Sequence, residues 1–112
     1  MEKEESWKTN KNIPPFPVEE NLEEDVGEDG LIEVNNPYSG QSCRLNRVAL
    51  AVYDSIKGAD DILRAMDHPI SPFKDWPKAA QENLMKDSIR KHGLGIEWFM
   101  IHYPEEYYIL ID

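Results

Sequence analysis

The side chains whose types invite chemistry are His68, His92 and His102, the lone Cys43, and two adjacent carboxylate pairs, Asp60-Asp61 and Glu105-Glu106. A bound metal needs ligands converging at spacings such as H-x-x-x-H or C-x-x-C, and neither occurs. His92 and His102 are about 15 Å apart along a single helix, too far to share an ion, so neither a metal nor a cofactor is expected. His92 reads as a hydrogen-bonded helix residue rather than a general base. Cys43 beside Arg44 could be a thiol of lowered pKa, but a small strand residue facing a core accounts for it as well. Neighbouring helical residues point about 100° apart, so the paired carboxylates read as solvated surface, not as an acid–base couple. No phosphate-binding glycine loop and no G-x-S-x-G elbow is present. The expectation is a protein that is not an enzyme.

Other residues suit recognition. Tyr38, Trp98, Tyr107 and Tyr108 are candidate partner contacts, because aromatic anchors carry much of the energy of protein interfaces. Tyr38 has two readings: an anchor for a partner, or a plug for the open end of a helical hairpin. Arg44, Arg47, Lys91 and His92 are candidate cations for a nucleotide or signalling molecule held between helices.

The elements that must position these groups are helical. From Leu45, apolar residues recur at three- and four-residue steps through Val48, Val52, Ile56, Ala59, Leu63 and Met66, and Asn46 is a good N-cap. These features predict a helix over 47–66, with Asp60 and Arg64 spaced as an exposed ion pair. Pro69 and Pro72 break it. A second seam, Met85, Ile89, His92, Ile96, Phe99 and Tyr103, keeps helical phase across Gly93 and Gly95. It predicts one helix over 77–102, with Gly95 a small residue where another backbone comes close. Pro104 then starts a short helix, 104–111, whose Glu105 and Glu106 suit the positive end of the helix dipole.

Upstream, 31–34 and 42–45 are β-prone runs separated by the turn formers NNPYSGQ, which predicts a small hairpin. The fold class is therefore mainly α: an antiparallel helical hairpin, a short C-terminal helix and a small N-terminal β-hairpin. Its core is expected in the C-terminal third, around Trp76, Trp98, Phe99, Tyr103, Tyr107, Tyr108, Ile109 and Leu110.

Charge divides the chain differently. Of 22 acidic and 12 basic residues, 11 acidic and 3 basic lie in 1–35. Residues 1–30 read as a flexible acidic arm with few large apolar residues beyond Trp7, Ile13, Phe16, Val18 and Leu22, but the stretch holding Pro14, Pro15 and Pro17 is semi-rigid and leaves room for part of the arm to dock. Residues 31–112 form one small domain. No basic patch for nucleic acid is visible, no apolar run is long enough to cross a bilayer, and one cysteine with no signal-peptide pattern points to the cytoplasm.

The combination NPYSG, then RVALAVYDSIKG, then GIEWFMIHYPEEYYILID resembles a group of small accessory proteins of tailed bacteriophages that carry no established activity. The resemblance covers 31–112 and excludes the arm. It implies a phage accessory context in a host cytoplasm and transfers no catalytic residue. The leading expectation is a protein-interaction module, as monomer or homodimer, that binds and inhibits or redirects a host protein. A small-ligand binder is the alternative. A third reading is a nucleic-acid mimic acting through the carboxylates of the arm.

Overall fold

The computed structural model describes residues 3–20 and 26–111. Met1, Glu2, Asn21 to Asp25 and Asp112 lie outside the described residues; Leu22 of the expected arm is among them.

Strands β1 (Ile32–Asn35) and β2 (Ser42–Leu45) pair antiparallel, with Ile32 opposite Leu45 and Asn35 opposite Ser42. β1 begins one residue later than the β-prone run suggested. Gly40, at φ +78°, takes the left-handed conformation the turn needs. The chain passes directly into helix α1 (Arg47–Met66), whose N-cap Asn46 accepts a hydrogen bond from the Ala49 amide at 2.8 Å. After the proline-broken connection comes α2 (Lys78–His102), unbroken through Gly93 and Gly95. Helix α3 (Pro104–Leu110) turns back from it, with proline at its first position and Glu105 and Glu106 in its first turn.

Helices α1 and α2 form the main packed pair, and α3 bridges α2 and β2. Leu45, Val52, Trp98 and Phe99 are fully buried at the centre, joined by Ala49, Tyr53, Ile56 and Leu110. The core is thus shared between α1 and the C-terminal elements rather than concentrated in the C-terminal third. Trp76 and Tyr108, expected in it, are exposed.

The buried face of α2 also differs from the expected seam. Met85 and Ile89 are 40% and 55% exposed, whereas Ser88, Gly95, Trp98 and Phe99 are buried. The contact stripe lies about one residue N-terminal to the apolar one. The reason is steric: a Cβ on Gly95 would sit 2.5 Å from Ile56 Cγ1, so α1 inserts a side chain where α2 has none. The close approach at Gly95 is by the Ile56 side chain, not by backbone.

Part of the arm docks. Residues 3–20 lie against the helices. A 3-10 turn (Lys3–Lys8) presents Trp7, and both Trp7 and Phe16 are buried in the core. Trp98 Nε1 donates to the Ile13 carbonyl at 2.9 Å, and His102 Nε2 donates to the Trp7 carbonyl. Composition averaged over the segment argues for flexibility, but each aromatic side chain can remove about 150–250 Å² from water, and prolines lower the entropy lost on docking.

Candidate functional site

Local chemistry builds the site at the end of the molecule where the hairpin turn, the middle of α1 and α3 meet. Asn36 opens the turn, where an Asn side chain can cap nearby backbone amides. Its Oδ1 accepts from the Tyr38 amide at 2.8 Å, and its Nδ2 donates to the Ile109 carbonyl of α3 at 2.8 Å. Asn36 is buried and both bonds are part-buried, so losing them would strand polar groups. One side chain thereby locks the turn to a helix 73 residues away in sequence. Tyr38, on that locked turn, is 93% exposed. It does not plug the helical hairpin.

Beside Tyr38 runs a groove of about 620 Å³, walled by α1 (Tyr53, Lys57, Asp60, Asp61, Arg64), α2 (His92, Ile96) and α3 (Tyr107, Leu110). The floor is apolar and aromatic: Tyr53 is buried and meets Phe99 edge to face, at 6.4 Å between ring centroids. The rim is charged. Lys57 Nζ lies 5.5 Å from the Tyr53 ring centroid, and Arg64 pairs with Asp60 at 2.9 Å. That pair is exposed and contributes a few tenths of a kcal/mol at most, roughly as other helical pairs of its spacing do, so its groups can turn to a ligand at little cost.

The expected site residues separate into distinct places. Tyr38 and Tyr107 line the groove; Tyr108, 64% exposed, stacks edge-on against Tyr107 at 5.5 Å. Trp98 does not serve as a partner contact: it is fully buried, and its indole N–H is satisfied by Ile13. Of the four expected ligand cations only His92 lines the groove. Arg44 pairs with Asp29 at 2.8 Å beside the β-hairpin, Lys91 pairs with Asp87 at 3.3 Å, and Arg47 is half-buried in the first turn of α1. Lys57 and Arg64, which do line the groove, were readable only as surface charges of α1. Asn36 carried one local signal, its place at the start of a turn, but its bond to Ile109 had none.

Among the described residues, two groups depart from their ordinary titration. Burial, assisted by the Glu106 charge, pushes the Cys43 thiol from 9.0 up to about 11. A nucleophilic thiol needs the opposite shift. Burial also raises the Tyr103 phenol; a hydrogen bond from Asn46 Nδ2 to its oxygen, at 3.1 Å, opposes this, and Glu106 adds to the rise. Among the described residues, no three His, Cys, Asp or Glu side chains gather as metal ligands do, and no helix is long and apolar enough to cross a membrane. The chain matches no protein-family model, no curated protein and no solved structure.

Proposed function

We propose that this chain is a non-enzymatic protein-interaction module that acts, as its resemblance to phage accessory proteins implies, by engaging a host protein through the groove and its Tyr38 rim. The observation that carries this reading is the combination at Tyr38: a large aromatic side chain almost wholly in water, on a turn whose backbone is held by the buried Asn36. Water gives an aromatic ring no reason to stand there, and a rigid turn loses little entropy when a partner covers it. Interface energy concentrates in such anchors, and the adjoining apolar floor with its charged rim has the composition of an interface centre and edge.

The test compares partner capture from host lysate by the wild-type chain and by Tyr38→Ala. Because Tyr38 is exposed, the variant should melt with the wild type while losing the captured protein. Equal capture by both chains would remove Tyr38 and this surface from the function.

A second reading rests on the groove itself. Its volume lies within the roughly 300–1,000 Å³ range of small-molecule sites, and Lys57, Arg64 and His92 could meet an anionic ligand. Binding raises the melting temperature of the folded state, so a thermal-shift series with nucleotides that moves the wild type but not Arg64→Ala would favour it over a protein partner.

A further inference from the structure

Helix α2 carries an apolar stripe on the side turned away from α1. Met85, Ile89 and Met100 are exposed and Ile96 is half-buried. Their spacing sets all four within about 60° of one another around the helix axis. Gly93 lies beside the stripe at its middle, and nothing in the chain comes within 4 Å of where its Cβ would stand. An exposed glycine inside a helix weakens it relative to alanine, and no contact within this chain accounts for one here. What the bare backbone does provide is room for a close neighbour.

The stripe reads the same in both directions: Met, three residues, Ile, six residues, Ile, three residues, Met. A surface that contacts a copy of itself across a two-fold axis must match residue i to residue j and j to i. Two copies of α2 set antiparallel about the midpoint between His92 and Gly93 satisfy this, with Met85 opposite Met100 and Ile89 opposite Ile96, each pair occurring twice. The charges agree with that register. Lys86, Arg90 and Glu97 are exposed along one edge of the stripe. Lys86 and Glu97 make no ion pair among the described residues, and Arg90 reaches Asp87 at 3.5 Å, a carboxylate it shares with Lys91. A two-fold axis between antiparallel helices keeps the charged edges of both copies on the same side. Glu97 of one copy then stands level with Ser88 of the other, about 3 Å along the axis from both Lys86 and Arg90.

We propose that two copies of this chain pair through α2. The helices run antiparallel and cross beside Gly93, the Met85–Ile89–Ile96–Met100 stripes face each other, and Glu97 of each copy is held by Lys86 and Arg90 of the other. One helix pair is a small interface, so the dimer exchanges with monomer in solution. Ile96 is the one stripe residue that also lines the Tyr38 groove. The pairing does not rest on the proposed role of Tyr38, and no residue changed in its test lines that groove.

Sedimentation equilibrium of the full chain, from about 1 μM to about 1 mM, reads the pairing directly. The wild type should rise from its monomer mass of 13.0 kDa towards twice that value. Ile89→Asp and Met100→Asp each put a carboxylate into the stripe at an exposed position. Both should melt with the wild type in dilute solution and dimerise about tenfold or more weakly. The register is tested by charge. Glu97→Lys leaves only cations facing each other along the edge, and the double change Lys86→Glu with Arg90→Glu leaves only carboxylates, so neither chain should pair with itself. Mixed in equal amounts, the two present opposite charges at both ends, and a heterodimer should form. Three results overturn the proposal: a wild type that stays monomeric throughout, stripe variants that dimerise as tightly as the wild type, or a mixture of the charge variants that stays monomeric.

Discussion

Gly95→Ala and Gly93→Ala make the same chemical change two residues apart in one helix, and they should move stability in opposite directions. In a helix interior, replacing Gly by Ala gains roughly 0.5–1 kcal/mol. At Gly93 nothing lies within 4 Å of the added methyl, so the full gain should appear; Gly58 of α1 is equally open and should behave alike. At Gly95 the methyl would stand 2.5 Å from Ile56 Cγ1 and 2.9 Å from its Cδ1, against about 3.5–4.0 Å for ordinary carbon contact. Ile56 is buried and β-branched, so its inner Cγ1 cannot swing aside without leaving its rotamer. Overpacking of this kind costs roughly 1–3 kcal/mol. The propensity gain cancels in the comparison, so Gly95→Ala should lie about 1–3 kcal/mol below Gly93→Ala. Urea unfolding followed by tryptophan emission measures this, with the buried Trp98 as a reporter and an unchanged m-value as the check on two-state behaviour. In an Ile56→Ala background the obstacle is gone, and Gly95→Ala should stabilise again. If Gly95→Ala stabilises the wild type as much as Gly93→Ala does, the contact between α1 and α2 is not where the structure has it.

Asn36→Ala should cost about 1 kcal/mol, the penalty for leaving a part-buried carbonyl and amide without their protein partner, and should weaken partner capture along with Tyr38→Ala even under conditions where the chain stays folded. Asn46→Ala should lower stability by about 0.5–2 kcal/mol through loss of the α1 cap, a change readable in the same urea titration. For Cys43, a thiol at about 11 instead of 9.0 has a thiolate fraction near pH 8 that is roughly a hundredfold smaller. Alkylation should therefore be slower in the native chain than in urea, and equal rates would mean that the half-buried thiol is not shielded in this way. The folded-state value is the raised one, so its stabilising contribution is complete below pH 9 and is lost as pH rises towards and through about 11. A Cys43→Ser chain should show a shallower loss of stability over that alkaline window.

Much of the architecture was legible because the signals for it are local. Asn46 sits beside the amides it caps and Pro69 follows closely on the helix it ends, so α1 runs over Arg47–Met66 as its pattern predicts. Helical phase carries α2 through two glycines, and Pro104 both ends one helix and opens the next. The hairpin followed from turn formers between two β-prone runs, with β1 displaced by one residue. Tyr38 could be singled out as a residue that was either an anchor or a plug. That it is not a plug required knowing that Asn36 reaches Ile109 and ties the turn down with the ring outside.

The remainder depended on which surfaces meet. Periodicity records where apolar residues recur along α2, but the face that packs is the one a neighbour can approach most closely. Gly95 made that face accessible to Ile56, leaving Met85 and Ile89 in water. Burial of Trp98 came from the same rotation of the helix and from the docked arm, whose Trp7 and Phe16 outweigh a composition that otherwise favours flexibility. The expected cations were dispersed because their nearest carboxylates, Asp29 for Arg44 and Asp87 for Lys91, lie away from the groove. Caps, turns and helix phase act over a few residues and are therefore written in the order of the chain. Contacts such as Asn36 with Ile109, Ile56 with Gly95 and Trp98 with Ile13 join residues far apart in that order, and only the packed molecule brings them together.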